Sequence, residues 1–269
     1  DILGTEGHRF VSLSGYGDNI WLNMVIMLLI IIGGIGFLTW EDFYENKLNF
    51  RRYRMQSKVI LITTVLLIIL PAILFFANDF GEFLFKKRLL YSIFQSVTTR
   101  TAGFNTADLP LMTEAGKAVM ILLMLIGGSP SSTAGGMKTT TFAVLILNAF
   151  ATFRSREDAG AFGRRFDVQV IKNAATIAML YLMLFFGGGI IISAYEGLPV
   201  LTCFYEAASA IGTVGLTLGV TPDLHIISRL ILIVLMYLGR VGGLTLIYAV
   251  FSDKNKRKAK LPLDKIIVG

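Results

Sequence analysis

Thr99-Arg100-Thr101-Ala102-Gly103-Phe104-Asn105 closes one short apolar segment, which begins near Leu89, and Gly212-Thr213-Val214-Gly215-Leu216-Thr217 closes another, which begins at Pro199. In each, a stretch too short to cross a bilayer leads into a threonine, a small or branched residue and a glycine. This internal repeat decides the fold. Inside a membrane protein, a half-length helix ending in bare backbone points carbonyl oxygens and its negative C-terminal end at a cation. A shift of 112 residues superposes Thr101-Ala102-Gly103 on Thr213-Val214-Gly215, and also Gly127-Gly128 on Gly239-Arg240 in the following segment.

Working outward, 54% of the 269 residues are hydrophobic and only 16% are charged, more apolar surface than a water-soluble domain of this length hides. The bilayer is the expected solvent. Apolar runs near the roughly 20 residues of a crossing occur at Trp21 to Thr39, Val59 to Phe76, Ile171 to Tyr195 and Ile226 to Phe251, and a fifth, Ala118 to Phe153, is interrupted in its middle. Two histidines and the lone Cys203 leave no Cys/His metal site and no disulfide framework. The net charge of +7 does not point to nucleic acid, because the basic residues flank apolar runs.

Those basic residues set the orientation. Lys47, Arg51, Arg52, Arg54 and Lys58 follow the first run, Arg154, Arg156, Arg164, Arg165 and Lys172 the interrupted run, and Lys254, Lys256, Arg257, Lys258, Lys260 and Lys265 the last. All three stretches share a side if every run crosses, and that side is cytoplasmic. The two short segments then dip in from outside. Five crossings, starting outside and without an initiator Met, lead us to expect chain ahead of Asp1.

The expected organisation is all-α and polytopic, built from repeated units of span, pore helix, filter loop and span. Residues 1–57 would hold a lone span, 21–39, and the loop after it. Residues 58–167 would form one complete unit, with span 59–76, pore helix 88–98, filter 99–105 and a broken span 118–153 around an intramembrane loop 127–141. Residues 168–269 would form another, with span 171–195, pore helix 199–211, filter 212–217 and span 226–251. Irregular backbone at membrane depth survives only where protein buries it or where it lines water. One such segment alone could be a surface-lying amphipathic helix, but duplication at a fixed offset favours a pore.

Stripping water from a monovalent cation needs several hard oxygens, which successive carbonyls supply without a buried formal charge. Thr101, Ala102, Gly103, Thr213, Val214 and Gly215 are the candidate ligands, with potassium or sodium as the ion and no covalent cofactor. No acidic residue lies within Thr98 to Thr106 or Gly212 to Thr221, so the site does not suit divalent ions. Arg100, beside the first triplet, reads as a scaffold charge, since a cation in the mouth would repel the ion.

Gly127, Gly128, Ser129, Pro130, Ser131, Ser132, Thr133, Ala134, Gly135, Gly136, Met137 and Lys138, with three further threonines, cannot be continuous helix. A phosphate loop fails because Met137 separates glycine from Lys138 and no strand precedes it. A hydrolase loop lacks a base, the histidines being His8 and His225, and no enzyme can be assembled. A discontinuous helix with its flexible middle in the permeation path remains. Arg240, inside the last apolar run, is too costly to face lipid and is expected to donate to this loop and hold it across the pore. Lys138 either anchors the loop's inner end or is solvated. The glycine groups Gly33-Gly34-Ile35-Gly36 and Gly187-Gly188-Gly189 serve close helix packing, with hinge behaviour as the alternative.

These residues resemble the Trk/Ktr/HKT superfamily of potassium transporters, and within it the KtrB-type membrane subunits; the likeness covers essentially the whole chain, with Thr99 to Asn105 and Gly127 to Thr141 the most specific stretches. The resemblance implies four units around one pseudo-fourfold pore, so that the first half of the pore would come from elsewhere, as Asp1-Ile2-Leu3-Gly4 also suggests by its likeness to a post-filter segment. It implies that the interrupted segment gates the pore from below with Arg240 as its latch. It further implies a homodimer in the plasma membrane on a cytoplasmic ring of nucleotide-binding regulatory subunits. An alternating-access, cation-coupled transporter is the other function considered; it would call for inverted broken helices, whereas these repeats run in the same sense.

Overall fold

The computed structural model describes residues 12–47 and 49–242. Asp1 to Gly4, His8, Gly243, the inner end of the last span and the basic tail lie outside the described residues. Helix α1 (Ile20–Ile35) starts at Asn19, whose side chain accepts from the Leu22 amide at 3.1 Å, an ordinary N-cap. Helix α2 (Phe37–Asn46) follows after a single residue and is turned by 94° from α1.

Within the expected span 21–39 the straight helix stops at Ile35. Gly36 adopts φ 91° and ψ 145°, a region essentially closed to residues with a Cβ, and the Pro130 carbonyl occupies the space where a Cβ would stand. The Phe37 amide, freed by the break, donates to Ser131 O at 3.0 Å. At Gly36 the Gly33–Gly36 group makes a fixed bend packed against the interrupted segment. Replacing Gly36 with Ala should cost about 1–3 kcal/mol, visible as a lowered unfolding temperature of the detergent-solubilised protein; an unchanged temperature would refute the steric account.

Helix α3 (Met55–Asn78) carries Pro71. Helix α4 (Phe85–Thr98) follows, three residues longer at its start than expected. Helix α5 (Glu114–Leu125) is capped by Thr113, whose hydroxyl accepts from the Gly116 amide at 3.0 Å. After the interruption comes α6 (Thr139–Phe153). Two short strands, β1 (Gly160–Ala161) and β2 (Arg164–Arg165), form a hairpin that the sequence reading left as loop. Both of its turn residues, Phe162 and Gly163, have positive φ, the backbone of a tight hairpin turn. Helix α7 (Val168–Glu196), α8 (Val200–Ile211) and α9 (Ile226–Val241) complete the described chain.

Only α3 and α7 are singly long and apolar enough to cross a membrane among the described helices, with the bent α1–α2 pair a third candidate. Their outward faces, such as Val65, Leu66, Ile69 and Ile73 on α3 and Met179, Met183 and Ile190 on α7, are exposed and apolar, as lipid contact requires. The interior is held by close packing, because lipid tails are as apolar as the core and leave little hydrophobic force between helices. Met120 and Met124 of α5 and Tyr205, Ala207 and Ile211 of α8 are buried together with Tyr181, Phe185 and Ile192 of α7. The places of Cβ atoms at Gly188 and Gly189 are filled by Leu235 and Phe204 side chains, so this glycine group serves close packing.

The short helices carry the functional loops. Helix α8, about 18 Å long at ~1.5 Å per residue, cannot cross a core of about 30 Å, yet Tyr205 to Ile211 are all buried. It lies against α5, α7 and α9, while α4 lies against α1 and α3. On the opposite side of the molecule, Phe50 and Phe162 rings meet at 6.3 Å and Lys58 Nζ sits 5.6 Å from the Phe162 ring. Two of the expected cytoplasmic basic stretches are thus on one face.

Candidate functional site

Both triplets leave their helices in the same unusual way. Thr101 and Thr213 have φ 61° and 52°, and Gly103 and Gly215 have φ 80° and 94°. Alternation of left-handed and ordinary residues turns successive carbonyls toward one side of the chain, and only glycine tolerates the second position cheaply. The amides, by contrast, are spent on the helices behind. Ala102 N and Gly103 N both donate to Thr98 O at 3.2 Å, Val214 N donates to Ser209 O at 2.9 Å, and Gly215 N donates to Ser209 Oγ at 3.1 Å. Among the described residues, no main-chain amide ends on the carbonyls of Thr101, Ala102, Gly103, Thr213, Val214 or Gly215.

The two loops stand side by side. The Val214 carbonyl fills the place a Gly103 Cβ would take, with the Gly215 Cα 3.4 Å from that point. Above them a cavity of about 850 Å³ is lined from both repeats, by Gly103, Asn105 and Asp108 and by Gly215, Thr217 and Gly219. A second cavity of about 580 Å³ follows the second loop from Thr217 past Gly215 and Thr213 to Met236 and Arg240.

Beneath the loops lies the interrupted segment. Its ends are pinned: Gly127 N donates to Met137 O at 2.8 Å, Thr139 N to Gly128 O at 3.0 Å, and the Ser129 and Thr139 hydroxyls are 3.1 Å apart. Its tip docks on two different inner helices. On one flank Ser129 N donates to Gly34 O of α1 at 2.9 Å and Ser131 O accepts from Phe37. On the other, Gly136 N donates to Gly239 O at 3.3 Å, and Arg240 Nη1 donates to Thr133 O at 2.7 Å. Lys138 Nζ reaches back to Ala134 O at 2.6 Å. Gly135 abuts the Thr213 hydroxyl, where its Cβ would collide. Pro130 packs on Gly36, and Ser132 Oγ accepts from Ala134 N at 3.3 Å.

The same break recurs. Helix α9 ends at Gly242 with φ 89° and ψ 140°, matching Gly36 at the end of α1. Gly33-Gly34-Ile35-Gly36 and Gly239-Arg240-Val241-Gly242 therefore occupy equivalent places, and each presents a carbonyl to the interrupted segment. Arg100 is buried behind the first loop, and among the described residues its Nε and Nη2 have no hydrogen-bond partner.

Sequence reasoning missed Glu206. This α8 carboxylate is 4% exposed; Oε1 accepts from Thr217 Oγ1 at 2.8 Å and Leu218 N at 2.9 Å, and Oε2 from Thr221 Oγ1 at 2.7 Å. An ionisable residue in a short intramembrane helix was the signal available.

Two short helices that end in adjacent carbonyl loops, beside a segment of irregular backbone, make an arrangement suited to coordinating a cation. The chain belongs to the TrkH family of cation transport proteins, whose model matches residues 8–258. It is 38% identical to the potassium/sodium uptake protein NtpJ of Enterococcus hirae, across all of this chain and 60% of that protein. With the Ktr system potassium uptake protein B of Bacillus subtilis it shares 33% identity, over 96% of this chain and 59% of the other. The fold superposes on the potassium transporter TrkH from Vibrio parahaemolyticus with a TM-score of 0.73, 20% identity, and coverage of 90% of this chain and 54% of that one. The chain thus spans a little over half the length of these relatives.

Proposed function

We propose that this chain forms part of a potassium uptake pore of the plasma membrane, in which ions pass single file between carbonyl loops and over an intramembrane gate. The observation that carries the reading is the matched backbone of Thr101-Ala102-Gly103 and Thr213-Val214-Gly215, two adjacent loops with amides engaged behind and carbonyls free. Potassium is favoured over sodium because NtpJ and the Bacillus subtilis Ktr protein B are both named for potassium uptake; NtpJ's name includes sodium, which stays the second permeant ion. Two loops supply half of a ring, so two further units complete the pore, and residues 1–57, 58–167 and 168–269 are the end of a second repeat and the third and fourth repeats.

The segment 127–138 is the gate, latched from one side by Arg240 and tied on the other to the α1–α2 bend. The protein works as a homodimer on a cytoplasmic nucleotide-binding ring; the basic face around Arg51, Arg52, Arg164 and Arg165 supports such a contact. Alternating access gains nothing from the second break at Gly36, since both broken helices run in the same sense.

Flux in proteoliposomes holding the full-length protein tests the reading. Rubidium influx should follow an imposed membrane potential, be competed by potassium more strongly than by sodium, and proceed without a co-transported proton. Obligatory, stoichiometric coupling to a second ion would favour the alternating-access alternative.

A further inference from the structure

We infer that Glu206 is a positioning residue for ion selection: its carboxylate is the bracket that fixes the outer half of the fourth-repeat filter. This rests on the pore reading above and concerns how one of its loops is held.

The two loops are braced by different chemistry. In the third repeat, the strand after the filter is held by Thr98 Oγ1 donating to Phe104 O at 2.5 Å, and from outside by Leu13 N donating to Asn105 O at 2.8 Å and Asn105 N donating to Ser12 Oγ at 3.0 Å. The fourth repeat has Ala210 where the third has Thr98, so that hydroxyl is gone. Instead Glu206, standing where the third repeat has Phe94, gathers three donors from the strand after Gly215. Thr217 Oγ1 in turn accepts from Gly219 N at 3.0 Å and lies 3.0 Å from Thr221 Oγ1. Each carboxylate oxygen is engaged, which an ionised acceptor-only group satisfies. Burial makes such a bracket stiff, because an unmatched carboxylate or hydroxyl there is costly.

The consequence for function is geometric. Residues 215 to 219 line the outer cavity and continue directly from the candidate ligands Thr213 and Val214. With the bracket intact, the Gly215 carbonyl keeps one orientation; without it, the strand is free to rotate and the site accepts ions of other radius. Gln at this position keeps an acceptor for Thr217 and Leu218, while the rotatable Thr221 hydroxyl accepts from the new amide.

The test compares rubidium and sodium influx through the full-length protein at equal membrane abundance. Glu206→Ala should lower the rubidium-to-sodium preference by about tenfold, Glu206→Gln by no more than about threefold, and Thr221→Val in the same direction as Glu206→Ala but less. If Glu206→Ala does not reach the membrane, the double variant Thr217→Val/Thr221→Val replaces it and should show the loss. Unchanged preference in Thr221→Val and in whichever of those variants is measured overturns the inference. Failure of the pore reading would look different: Gly215→Ser would then leave preference intact as well, whereas a Gly215→Ser effect with silent bracket variants refutes the bracket alone.

Discussion

Gly215→Ser is expected to abolish most of the discrimination between potassium and sodium, by tenfold or more. At φ 94° a serine pays the left-handed penalty of about 1–2 kcal/mol, and the cheapest relief is rotation of the adjoining peptide. That rotation carries the Val214 or Gly215 carbonyl off the ion path. Tenfold corresponds to about 1.4 kcal/mol, so the strain alone is of the right size. No neighbouring heavy atom lies within 4 Å of the Cβ position, which makes the substitution a backbone test and not a packing test. Competition of sodium against rubidium influx reads the result, and unaltered competition would remove the carbonyl role.

Unlatching the gate should raise transport. Arg240→Ala removes the 2.7 Å bond to Thr133 O, and a hydrogen bond from a charged donor is worth about 1.5–3 kcal/mol. If the latch biases a closed loop by that much, its loss raises the open population, and so rubidium influx, by about tenfold or more. Deleting Ser131 to Gly135 should act in the same direction, since it removes the contacts with Phe37, Thr213 and Arg240 together. Arg240→Lys should be intermediate, a single ammonium replacing the planar donor fork. Influx equal to the parent protein in both Arg240→Ala and the deletion would refute the gate.

What could be read before any coordinates follows from which interactions are local. The triplets, the short helices before them and the interruption at Gly127–Lys138 are composition signals within a few residues; the structure has helices at Phe85–Thr98 and Val200–Ile211 and irregular backbone between Leu125 and Thr139. Duplication at one offset brought Arg240 level with the interrupted segment. The 94° turn at Gly36 was hidden, because Gly33-Gly34-Ile35-Gly36 is equally compatible with close packing and the deciding contact, Pro130 O, comes from far along the chain. Glu206 was hidden for a related reason. Its partners Thr217 and Thr221 lie on a returning strand, and one carboxylate in an apolar helix carries no periodicity. The Phe162-Gly163 turn was concealed by a phenylalanine at a position where asparagine or glycine is the usual marker.

Because the tip of the interrupted segment is tied on one flank to Gly34 and on the other to Arg240, 107 positions beyond Thr133, it cannot be fully seated until α9 has been synthesised. At about 5–20 residues per second, the tip waits roughly 5–20 s with its second set of partners still unsynthesised. Biogenesis in the translocon thus passes through a stage with polar main chain exposed at bilayer depth, a natural window for chaperone binding or quality-control proteolysis.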